Sequence, residues 1–216
     1  MHPVLAFLRM DLSVQRRTLA SLGVVGILLL VLARFGGTPP GIALLMASTA
    51  LPLLLPSQMF AVDERGRLDI LWATLPISRR QVVLGRHLSL ALLLVSTTLA
   101  CGAASWVLTV AAPTSVTVPL LPAFGAAFAL VSFLMAVQVP IYFAVGSARV
   151  ASFGTAAVFL VIFLVAGAIG RIGRAPAPLV EALAWPFMPV AAVLVGLALM
   201  AASAAVSVPL YVRRAL

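Results

Sequence analysis

The residues best able to do chemistry in this chain stand close together. Asp63, Glu64 and Asp69 are three of only five carboxylates, and Arg65 and Arg67 are interleaved with them. Leu68, Leu71, Trp72 and Leu75 follow at i, i+3, i+4 and i+7, an apolar stripe on one face of a short helix. Pro76 ends that helix, because it lacks an N–H and restricts the residue before it. Ser78 then stands as an N-cap with Gln81 three residues later, the capping-box spacing that opens the next helix beside Arg79. Charge around a greasy patch suits the orienting of a docked partner. The stripe alone favours a helix tucked under its own bundle; the carboxylates massed beside it raise the docked-partner reading.

Bond-breaking chemistry is not encoded here. All 14 basic residues are Arg, and without a Lys there is no GxxxxGK[ST] loop, so the chain has no P-loop ATPase site of its own. His2 and His87 are the only histidines, Cys101 is alone in an apolar run, and neither HExxH nor CxxC occurs, which argues against metal catalysis and an internal disulfide. No Ser, His and Asp arrangement suggests an activated nucleophile. A transport or binding subunit is expected, not an enzyme.

The elements that must position the Asp63–Arg79 region are membrane helices. Hydrophobic residues make up 63% of the chain and charged ones 9%, against about a quarter in soluble domains. Six apolar runs, Leu19–Phe35, Gly41–Val62, Val82–Ala112, Val116–Gly146, Val150–Gly170 and Phe187–Val212, are each long enough to cross about 30 Å of hydrocarbon. They are continuously apolar rather than alternating, so the expected fold is an all-α membrane protein and not a barrel. One membrane domain takes up residues 1–216. The third and fourth runs exceed what a bilayer requires and are expected to tilt or protrude.

Charge orients the bundle. Eleven of the fourteen Arg fall on one side of the six-span scheme, leaving Arg34, Arg171 and Arg174 on the other, so both termini and the 63–80 loop read as cytoplasmic. The net charge of +9 then reflects topology and contact with anionic lipid; nothing suggests nucleic-acid binding. Arg16-Arg17 before an apolar run imitates a signal peptide, but five further spans favour an uncleaved first span. Residues 1–18 form an amphipathic segment, with Val4, Leu5, Leu8 and Leu12 opposite Arg9, Ser13 and Arg16, suited to the inner leaflet as an anchor or as a strut. The outer segment 171–186, with Glu181, Trp185 and several prolines, suits an interfacial loop or a short re-entrant helix. No carboxylate sits within a span interior, which weighs against ion-coupled carriers and channels. The polar residues that do are Gln58, after Pro52 and Pro56, and Gln138, before Pro140. They serve interhelical hydrogen bonding or line a substrate path.

Two segments resemble the ABC type-2 transporter permeases, the small six-span membrane subunits of type V ABC exporters. The first is Phe60–His87, with Asp63-Glu64, then Thr74-Leu75-Pro76-Ile77-Ser78-Arg79, Val82-Val83 and Arg86-His87. The second is Val137-Gln138-Val139-Pro140-Ile141-Tyr142-Phe143 with Gly146 and Arg149. Thr74 replaces the usual Ser and His87 the usual Tyr. The resemblance implies a permease that pairs with a second copy or a paralogue, each docking a separate cytoplasmic P-loop ATPase that binds ATP and Mg²⁺, with no cofactor on this chain. It makes Arg67–Leu75 the coupling helix, His2–Arg17 the connecting helix and 171–186 a re-entrant segment. It also implies outward export of amphipathic or hydrophobic cargo (an antimicrobial peptide, toxin, drug or lipid-like molecule) across a bacterial cell membrane. A haem-exporter permease of cytochrome maturation and a non-transporting immunity or assembly factor are the competing expectations.

Overall fold

The computed structural model describes residues 3–14, 40–66, 77–111, 120–146 and 186–213, with single helical positions at 16, 20, 24, 28, 150, 156, 160, 164 and 167. Five helices fill the continuous stretches: α1 Pro3–Val14, α2 Pro40–Arg65, α3 Arg79–Ala111, α4 Leu120–Val145 and α5 Met188–Arg213. Among the described residues there is no strand. Four of the six expected spans therefore coincide with α2, α3, α4 and α5. The first and fifth spans, the 67–76 segment and the outer 171–185 segment lie outside the described residues, apart from the single positions.

Three stretches are long and apolar enough to cross a membrane: Arg79–Ala104, Phe124–Val145 and Met188–Arg213. The relative directions of the helices follow from their contacts. Gly125 meets Pro189 and Gly196 meets Ser132 and Phe128, while Phe143 packs on Tyr211, so α4 and α5 run parallel. Leu44 clusters with Phe124 and Phe60 stacks on Tyr142, so α2 runs parallel to both. Arg79 reaches Tyr211 and His87 reaches Ser203, so α3 runs antiparallel to α5.

Small residues let α4 and α5 close on each other. A Cβ at Gly125 would lie 2.8 Å from the Pro189 backbone, and one at Gly196 would lie 2.6 Å from Ser132 Oγ and 2.7 Å from the Phe128 ring. Lipid offers no hydrophobic drive for helix association, so such close approach and its dispersion energy hold the pair. Gly146 ends α4 in the left-handed conformation (φ 90°), its N–H bonded to Tyr142 O at 2.9 Å, the αL C-cap that only glycine adopts without strain.

Helix α3 packs against α1, α2, α4 and α5, and α2 is enclosed along most of its length. Between Leu44 and Glu64, Gln58 is its only exposed side chain among those described. The expected second run ends at Val62, just before Asp63-Glu64, but the helix continues through both residues to Arg65 and stops at Gly66. Carboxylates in a last helical turn oppose the macrodipole. A tertiary partner for Asp63, described next, offsets that cost.

Candidate functional site

Two carboxylates and one arginine converge where α1, α2 and α3 meet. Arg86, two turns inside α3, is 1% exposed. One terminal nitrogen donates to Asp11 Oδ1 at 2.5 Å and the other to Asp63 Oδ2. Three elements are thereby tied through a single guanidinium: the N-terminal helix, the end of α2 and the start of α3. Arg86 counts in the sequence among the cytoplasmic charges that set topology, and His87 beside it reads as an edge residue. Both are buried.

Desolvating each ion costs several kcal/mol, so such a group persists only with close geometry and every ion partnered. The triad holds two carboxylates against one guanidinium. Burial pushes the Asp11 carboxyl above its ordinary range, and the Arg86 charge pulls it back only in part.

Beneath the ions lies an aromatic collar. Phe60 of α2 sits 5.5 Å from the Arg86 guanidinium, stacks on Tyr142 at 5.2 Å and meets Phe143 edge-on at 4.9 Å. Phe143 in turn contacts Tyr211 of α5 and stacks on His87 at 6.0 Å. His87 bridges Val83 O at 2.9 Å and Ser203 Oγ at 3.2 Å, linking α3 to α5.

The start of α3 is locked separately. Ser78 N–H donates to Gln81 Oε1 at 2.8 Å and Gln81 N–H donates to Ser78 Oγ at 3.3 Å, the reciprocal pair that the spacing predicts. Arg79 donates to Val212 O at 3.2 Å and Tyr211 O at 3.4 Å, and its guanidinium lies 5.9 Å from the centre of the Tyr211 ring. A cation there satisfies terminal carbonyls of α5 and complements its dipole.

The expected site residues thus divide. Asp63 turns inward to Arg86, Glu64 is half-buried, Arg65 is exposed, and Ser78 and Arg79 anchor α3. Arg67, Leu68, Leu71, Trp72, Leu75 and Pro76 lie outside the described residues. Gln58 is exposed on α2, whereas Gln138 is buried in α4 with neither amide atom partnered among the described residues. Among the described residues no group of three His, Cys, Asp or Glu side chains could hold a metal ion.

Sequence reasoning missed the Asp11–Arg86–Asp63 triad and the collar. One signal was available: Asp11 is the lone carboxylate in the amphipathic N-terminal segment, and Arg86 lies two turns beyond the helix cap, where an unpaired charge would enter the apolar zone.

Compared with known families, the chain matches the model for the ABC-2 family transporter protein over residues 7–212. Comparison with curated proteins and with solved structures returns no match.

Proposed function

This chain belongs to the ABC-2 transporter family, and from that premise we propose that it is the membrane permease of an ATP-driven exporter. The family's members are membrane subunits without an ATPase domain and generally work with an ATPase partner. In this reading ATP and Mg²⁺ sit on a separate P-loop subunit, and a second permease, a copy or a paralogue, completes the pore.

The observation that supports the reading best is the bracketing of residues 67–76. The helix before this segment is bound through Asp63 to Arg86, and the helix after it through the Ser78–Gln81 cap and Arg79 to α5. A push on the intervening segment is then borne by α2, α3 and α5 together, with α1 engaged through Asp11. That is the mechanical requirement of a coupling helix gripped by a motor on another chain. The stripe of Leu68, Leu71, Trp72 and Leu75 is the gripped surface, with Glu64, Arg65 and Arg67 steering the encounter. Helix α1 serves as the connecting strut.

The parallel run of α2, α4 and α5 supports six spans. The chain leaves α4 at one end of the bundle and enters α5 at the other, the arrangement that a fifth span in the intervening sequence requires. Both termini then lie with the Arg-rich side in the cytoplasm of a bacterial cell. Gln58, the one exposed side chain among those described between Leu44 and Glu64 of α2, marks the face turned toward the partner permease and the cargo path, because a bare amide facing lipid is costly. With so little charge along that path, the cargo is amphipathic or hydrophobic: a peptide, a toxin, a drug or a lipid-like molecule.

Co-purification with the ATPase tests the assignment. Leu71→Asp and Trp72→Asp place a charge in the gripped stripe and are expected to abolish association while the permease still extracts and melts like the wild type. Undiminished association of both variants would remove the coupling assignment.

A further inference from the structure

At the end of the bundle away from Arg86, α3 parts from α4 and α5. Its first half is pinned to α5 by Arg79 and His87. Farther along, Gly102 has no heavy atom within 4 Å of where a Cβ would stand. Between the three helices opens a cavity of about 450 Å³, lined by Thr98, Gly102 and Trp106 of α3, Phe124 and Phe128 of α4, and Val193 of α5, among others. Trp106 stands at its rim, 68% exposed. Trp favours the membrane–water interface, so this groove runs from headgroup level into the hydrocarbon. Its floor is firm, since α4 and α5 touch at Gly125 and Pro189.

We propose that this groove is a binding site for one acyl chain of a bilayer phospholipid, from the leaflet farther from the Arg86 triad. The size selects the occupant. A helix with its side chains is about 10–12 Å across, so the cavity has room for about one helical turn. Nor does a groove this small offer the ~800 Å² per partner that a stable protein–protein contact needs. A flexible aliphatic chain fits, with its headgroup beside Trp106 and its methylenes against Phe124, Phe128 and Val193. It replaces the side-chain contacts that α3 forgoes at Gly102. This site faces α5, whereas the Gln58 face lies on α2, so it is separate from the proposed cargo path and requires no ATPase.

The test uses the full chain in nanodiscs containing phosphatidylcholine with a photoactivatable diazirine on one acyl chain, the adducts being mapped by peptide mass spectrometry. Adducts are expected on Thr98–Trp106 and Leu121–Phe128 in excess of those on the exposed α4 stripe of Phe133, Val137 and Ile141. Gly102→Leu fills open space, and displacing even two buried methylenes lowers groove labelling about tenfold. Labelling of the Phe133 stripe stays constant and reports an intact bundle. Gly102→Ala, which adds one methyl group, gives a smaller loss. Groove labelling no higher than on the stripe, or indifferent to Gly102→Leu, overturns the proposal. So does a disulfide-linked dimer formed by Leu121→Cys at the rim, which would place a second copy there. None of these readouts involves transport, so their failure is distinct from failure of the exporter reading.

Discussion

Arg86 and Asp11, 75 positions apart in the chain, meet at 2.5 Å with both side chains withdrawn from solvent. With Asp63 on its other nitrogen, this one arginine joins the N-terminal helix to the two helices that flank the proposed coupling segment. A displacement of any of the three elements is felt by the other two. The joint is stiff because breaking it strands a charge, and the consequences of breaking it can be stated.

Arg86→Met leaves Asp11 and Asp63 buried without a counter-ion. The expected loss is about 3–5 kcal/mol, since removing one member of a buried ion group is far more damaging than replacing the whole group. The triple variant Arg86→Met, Asp11→Asn, Asp63→Asn is expected to recover most of the melting temperature in detergent. ATPase-driven transport should stay impaired in the triple variant, because packing is restored but the charged joint is not. A triple variant no more stable than Arg86→Met would show that the ions are not the main contribution at this site.

The position of Asp11 fixes the sign of a pH effect. Its carboxyl is raised above the ordinary 3.8, chiefly by burial, so the folded protein holds the Asp11 proton more tightly than the unfolded chain does. The stabilising contribution is complete below about 3.8 and is lost as pH rises through the raised folded value. Asp11→Asn keeps an acceptor oxygen for Arg86 and removes the ionisation. The difference in melting temperature between wild type and Asp11→Asn should therefore change across this window and level off above it. A pH-independent difference would contradict the assignment.

The capping box at the start of α3 is local and separable. Ser78→Ala removes the oxygen that accepts from Gln81 N–H, at an expected cost of about 1 kcal/mol. Ser78→Asp keeps an acceptor and should recover most of it. Hydrogen exchange at residues 79–83 would report the fraying directly, with α5 amides unaffected.

The α4–α5 seam is predicted to be intolerant of a side chain at Gly125 and Gly196, whereas Gly102 of α3, outside the seam, is tolerant. Gly125→Ala forces a methyl against the Pro189 backbone and Gly196→Ala forces one into Phe128 and Ser132. Overpacking of this kind costs about 1–3 kcal/mol. Gly102→Ala meets nothing within 4 Å and should leave the melting temperature unchanged. Equal behaviour of the three would mean that α4 and α5 are not in close contact.

What the amino-acid order determined by itself is whatever depends on near neighbours. Continuous apolar runs can only be buried or embedded in lipid, so α2, α3, α4 and α5 were legible to within a few residues. The Ser78–Gln81 cap was legible because both partners lie within one helical turn. The end of α2 was misplaced, at the acidic pair instead of Gly66, because two carboxylates in a last turn are locally unfavourable and only a distant arginine makes them acceptable. Tertiary structure alone decided the pairing of Arg86 with carboxylates 23 and 75 residues away, the inward turn of Asp63, the burial of His87 against Ser203 and the divergence of α3 that opens the groove. Each depends on how helices cross. Crossing is set by shape and close approach, such as glycine against proline between α4 and α5, and no periodicity along a single helix encodes it.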